Sequence, residues 1–150
     1  MPACFRIFPE HGVVVFRYWG DARLSDYEDM IRTFPENPDF SLALKHLVDL
    51  GALERFERNP LKLMLLQARI AEHTARAPSE ILSVMLAPTE IGRKAARLVK
   101  ASWDRLDSGV VRRVVSRIDE AALLLGIDEA DVRAMLAQTR LGATGGEQRG

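Results

Sequence analysis

Between Pro78-Ser79-Glu80 and Pro88 the chain reads Ile81-Leu82-Ser83-Val84-Met85-Leu86-Ala87, seven residues without a charge. A short apolar run bounded by prolines predicts a strand covered on both faces, as in sheets with helices packed on each side. The flanks agree. Asn59-Pro60 opens a helix with a side-chain cap, then proline at the first helical position, where its missing N–H costs nothing. That helix is expected to reach about residue 77. A second helix is expected over 89–103, with Ile91, Ala95, Leu98, Val99 and Ser102 facing inward.

The same alternation extends along the chain. Residues 4–8 and 13–19 are rich in β-branched and aromatic residues, and Pro9-Glu10-His11-Gly12 between them carries turn chemistry. This predicts an opening hairpin. Its second strand puts Val14, Phe16 and Tyr18 on one face and Val13, Val15, Arg17 and Trp19 on the other. Both faces are mostly apolar, as in the middle of a sheet.

Gly20-Asp21 breaks the pattern, and Ser25 with Glu28 has capping-box spacing. Tyr27, Met30, Ile31 and Phe34 then form one helical stripe that ends near Pro35 and Asn37-Pro38-Asp39. A short strand is expected over 46–50, followed by a charged connection over 51–58. After Asp107-Ser108-Gly109 come a strand over 110–115 and a helix over 118–125, closed by Gly126. Ile127 and Val132 have the spacing of a hydrophobic staple around Asp128. This predicts a docked helix over 127–138, held by Val132, Met135 and Leu136. The glycine-rich segment 139–150 is expected to be disordered.

The expected order is β-β-α-β-α-β-α-β-α, an α/β domain over 1–126 with a mixed, mostly parallel sheet and right-handed crossovers. Together with Gly12-Val13-Val14-Val15 and Leu47-Val48-Asp49-Leu50, this order resembles the STAS domain, the fold of anti-sigma-factor antagonists. The likeness covers about residues 3–126 and looks closest to the SpoIIAA-like group. It implies a non-catalytic regulatory or protein-binding domain. Such domains carry a phosphorylatable Ser or Thr at the start of the helix after the third strand. Here that position falls near Arg58, in Glu57-Arg58-Asn59-Pro60, so the phosphorylation switch is expected to be missing. SpoIIAA-like domains are also similar in architecture to carriers of nonpolar ligands and lipids. A small apolar-ligand or lipid-binding module is therefore the alternative.

Composition narrows the partners. Lys plus Arg and Asp plus Glu number 21 each, so no net field draws the chain to nucleic acid or to an anionic membrane. Arg93, Arg97 and Lys100 share a helical stripe near Arg112, Arg113 and Arg117, but Glu90, Asp104 and Asp107 accompany them. The stripe reads as a solvated face rather than a nucleic-acid surface. The lone Cys4 fits a reducing compartment. No apolar run reaches the ~20 residues of a membrane helix, and no leader pattern is visible, so a cytoplasmic location without membrane insertion is expected.

Catalytic patterns are lacking. His11, His46 and His73 have no metal-ligand spacing, and no phosphate loop, nucleophile elbow or dinucleotide fingerprint occurs. Asp49, at a strand end, is expected to hydrogen-bond the loop that follows. The expectation is a non-enzyme with no cofactor and no metal.

The helix that starts at Pro60 carries the candidate surfaces. Lys62, Arg69, Glu72, His73 and Arg76 form its polar stripe, and Leu63, Met64, Ala68, Ile70, Ala71 and Ala75 its expected core arc. Leu65 and Leu66 flank the polar stripe. With Leu61 and Arg58 they form a candidate interface for a homodimer or another protein. Gln67 and Thr74 fall within the apolar arc and need partners. They are candidates to line a ligand cavity with Trp19, Met85 and Trp103 as apolar walls.

Overall fold

Six strands build one sheet in the order β5-β4-β3-β2-β1-β6. The computed structural model describes residues 2–77, 79–104, 109–141 and 146–149. The strands are β1 (Ala3–Phe8), β2 (Val13–Ala22), β3 (Lys45–Phe56), β4 (Ile81–Leu86), β5 (Val110–Val115) and β6 (Gly146–Arg149). β1 and β2 form the antiparallel hairpin, and every other pairing is parallel. Gly12 closes the hairpin turn at φ +65°, a conformation that favours glycine because it lacks a Cβ. The α/β class with a mostly parallel sheet is as the sequence predicts.

Strand alternation sorts the helices into two layers. Val13, Val15, Leu47, Val84 and Leu86 point to one side, where α4 (Ile118–Leu125) and α5 (Glu129–Leu141) cover them with Leu125, Val132, Met135 and Leu136. Phe5, Val14, Phe16 and Met85 point to the other. There α1 (Leu24–Thr33) supplies Met30, and α3 (Glu90–Trp103) supplies Ala95 and Ala96. The fifth helix, α2 (Pro60–Thr74), packs chiefly on α1 and α3, with Leu63 and Leu66 against Leu24, Tyr27 and Leu98. The second layer is therefore two helices deep.

Several local expectations are corrected. The stretch 51–56 is strand: β3 continues beside β2, pairing Ala52 with Trp19 and Phe56 with Ala22. Here its neighbour on the other side, β4, has ended, so Leu53 alone is buried while Ala52, Glu54 and Arg55 meet solvent. That exposure gives a strand the look of a charged connection. β2 correspondingly passes through Gly20 with register shifts.

The capping box at Ser25 and Glu28 is also corrected. Helix α1 begins two residues earlier than a Ser25 cap would place it, at Leu24, and the Asp26 carboxylate accepts the Arg23 backbone N–H at 2.7 Å. Glu57 reaches from the end of β3 to accept the Leu24 N–H at 3.1 Å. A tertiary contact thus replaces a local one. Helix α2 has the predicted start, with Asn59 Oδ1 accepting the Lys62 N–H at 3.1 Å, but ends at Thr74 rather than 77.

At the C-terminus, Gly126 ends α4 at φ +70° and α5 docks through Val132, Met135 and Leu136 as predicted. The boundary at 138 is corrected. Helix α5 runs to Leu141, with Thr139 fully buried and its hydroxyl donating to the Met135 carbonyl at 2.8 Å. Residues 146–149 pair with β1 as a strand instead of forming the expected unstructured tail, while 142–145 and 150 lie outside the described residues. Among the described residues, no helix is long and apolar enough to cross a membrane.

Candidate ligand cavity

The two-helix-deep layer holds a partly open cavity of about 230 Å³. Its floor is the sheet face carrying Phe16, Tyr18, Val48 and Met85. Its walls come from Tyr27, Met30 and Ile31 of α1 and Ala95 and Val99 of α3, and α2 roofs it with Ile70, His73 and Thr74. The space lies between the sheet and α2, which packs chiefly on its neighbouring helices α1 and α3.

One row across the floor is polar. Register aligns His46 with Ser83 and Ser83 with Arg112 on three adjacent parallel strands, and all three line the cavity. Parallel strands in register repeat the same facing, so three polar positions become a continuous band. The Arg112 guanidinium lies 4.5 Å from the Trp103 ring centroid and donates to Ser83 Oγ at 3.4 Å, while its Nε has no hydrogen-bond partner. None of the described carboxylates lies within ion-pair distance of it. Asp104 acts on it from farther away and is itself bonded to Lys100 at 2.7 Å.

Burial sets the ionisation of this band. It lowers the Arg112 pKa, and the Tyr27 and Tyr18 phenols partly offset that. Burial likewise raises both phenols, with Arg112 pulling them partly back. His46 is pushed down to about 3 by burial and secondarily by Arg112. At neutral pH this band therefore holds one cation, Arg112, among neutral donors and acceptors, while Arg23 and Glu57 also line the cavity.

The sequence-derived candidates separate clearly. Thr74 and Met85 line the cavity. Gln67 does not; it is fully buried at the helix–helix contact, where Nε2 donates to the Val99 carbonyl at 3.3 Å and Oε1 lacks a partner. Trp103 lies behind Arg112 rather than in the wall, and Trp19, under the Arg17 guanidinium at 4.7 Å, is not among the lining residues.

The candidate interface also divides. Leu61 and Leu65 are 69% and 61% exposed, whereas Leu66 is 2% exposed and belongs to the core. Met64, expected inward, is 47% exposed, and Ala68 and Ala75 are exposed too. The inward arc is centred on Leu63, Leu66, Gln67 and Thr74 because α2 faces α1 and α3. Arg58 is exposed beside the ring of Phe56, in an open groove of about 290 Å³. Mostly charged side chains line that groove, including Asp21, Arg55 and Glu57.

Asp49 accepts the Gly51 N–H at 3.0 Å, as expected, and also pairs with Arg140 of α5 at 3.0 Å. Of the basic stripe, Arg93 bonds the Pro88 carbonyl and Lys100 bonds Asp104. Arg112 is corrected from that solvated face to a half-buried place in the cavity lining.

Sequence reasoning missed the polar band. Its signal was present: in Val110-Val111-Arg112-Arg113-Val114-Val115 two consecutive arginines must point to opposite faces of a strand, so one faces the sheet's covered side. No family model, curated protein or solved structure matches this chain.

Proposed function

We propose that this protein binds a small, mainly apolar molecule in the cavity between the sheet and α1, α2 and α3. The observation that carries the reading is the cavity itself. Apolar side chains dominate its lining, with a few polar groups converging from His46, Ser83 and Arg112. Binding sites commonly have this form, whereas cores of this size normally pack without large voids.

Native mass spectrometry of the purified protein, followed by titration with 1-octanol read through tryptophan emission, tests this. A saturable response that Val48→Phe abolishes by filling the cavity is expected. No bound mass together with no saturable response would sink the reading.

A second reading, a STAS-like interaction domain lacking its phosphorylation switch, is favoured by one observation. Leu61, Met64 and Leu65 form an exposed apolar stripe at the start of α2. If that stripe mediates self-association, sedimentation velocity will show a concentration-dependent dimer that L61E/L65E dissociates. A monomer at all concentrations would remove the homodimer.

A further inference from the structure

The polar band of the cavity contains a cation, Arg112, with no described carboxylate within ion-pair distance, and this specifies the ligand more narrowly than the apolar walls do. We infer that the ligand is a monocarboxylic acid whose carboxylate sits on Arg112 and whose hydrocarbon part fills the cavity. The inference rests on the cavity being a ligand site.

An isolated buried charge is strongly disfavoured, so buried arginines are ordinarily found paired. Arg112 has a serine hydroxyl at 3.4 Å, an aromatic face and a neighbouring phenol, and all of these are uncharged. Its Nε has no partner and is shielded from the cavity space, so the terminal N–H groups are the ones a ligand would meet. A planar guanidinium with free donors is complementary to a carboxylate, which can accept two parallel N–H bonds. Tyr18, Tyr27, Ser83 and His46 surround the same end of the cavity with further hydrogen-bonding groups.

Charge balance selects among anions. Among the described lining groups Arg23 and Glu57 offset one another and Arg112 remains, a net of one positive charge that suits a carboxylate better than a phosphate dianion. Volume limits the rest. A dry cavity of about 150 Å³ holds benzene, so about 230 Å³ suits roughly nine or ten heavy atoms. A medium-chain or aromatic acid meets both conditions.

Octanoate and 1-octanol share a chain and differ in the head group, so calorimetric titration of the native protein with each separates the two levels of the argument. Octanoate is expected to bind at least about tenfold more tightly than octanol. Arg112→Met is expected to abolish that preference while keeping octanol binding, and to melt no lower than the native chain without ligand, because it removes an unpaired buried charge. Arg112→Lys, which keeps the charge but loses the planar fork, should retain part of the preference and serves if the Met variant does not fold. Equal affinity for octanoate and octanol would overturn the head-group inference and leave the cavity reading intact. A Met variant that keeps the full preference would also overturn it. If neither ligand binds, both fall.

Discussion

Leu65 and Leu66 are neighbours in sequence and opposites in environment. A helix turns 100° per residue, which carries Leu66 into the contact with Leu24 and Leu63 and leaves Leu65 in water. Leu66→Ala should therefore destabilise the fold by about 2–5 kcal/mol, and Leu65→Ala by no more than about 0.5 kcal/mol. Urea denaturation of the two variants checks this, and similar values for both would refute the assigned arc.

His46 gives a second test. Its pKa is about 3 in the folded chain against an ordinary 6.5, so between those values the unfolded state binds the proton that the folded state refuses. Stability is therefore intact above pH 6.5 and is lost as pH falls toward 3. The contribution from this group approaches about 1.4 kcal/mol per pH unit inside that window. His46→Leu should flatten this part of the stability profile measured by chemical denaturation at pH 4 to 7. An unchanged slope would mean that His46 is not buried in its neutral form.

Helix α5 behaves as part of the fold rather than an appendage. Val132, Met135 and Leu136 are buried against the sheet, and Arg140 holds the buried carboxylate of Asp49, 91 residues away in sequence. A chain ending at Gln138 loses both Thr139 and Arg140. It should be less stable than one ending at Leu141 by about 1–3 kcal/mol, the cost of leaving a buried acceptor without its charged partner. Thermal melts of the two truncations decide this. Equal melting temperatures would show that the ion pair contributes nothing. A chain ending at Gly126 should fall much further, since it exposes the apolar groups that α5 covers.

The arrangement of layers explains why one side of the sheet is solid and the other hollow. On the α4–α5 side, Leu125, Val132, Met135 and Leu136 reach the strands directly. On the other side α2 is held off by α1 and α3, and the remaining space becomes the cavity. A molecule bound there would stabilise the native state by mass action. At about 100 times its dissociation constant the gain is about 2.7 kcal/mol, which for a chain of this length raises the melting temperature by roughly 5–10 °C. Differential scanning calorimetry with saturating octanoate should show that rise, and an unmoved transition would count against the site.

Much of the architecture was legible because it is local. The proline-bounded run at Ile81, the Asn59-Pro60 helix start, Gly126 and the staple of Ile127 with Val132 act within a few residues. The elements they announce are present, though α2 and α5 end elsewhere than expected, and alternation along β2 placed Val14 and Phe16 opposite Val13 and Val15. What depended on distant partners was not legible. The continuation of β3 past Leu50 needs β2 beside it, the start of α1 needs Glu57, and the pairing of Asp49 needs Arg140.

The candidate site divides along the same line. Gln67 and Thr74 could be identified as buried from helical spacing, because periodicity reports which side of a helix is covered. The cavity and the arginine in its lining could not, because a void is the space left between several elements. Only the packing of α2 on α1 and α3, and the register that lines up His46, Ser83 and Arg112, brings that space into being.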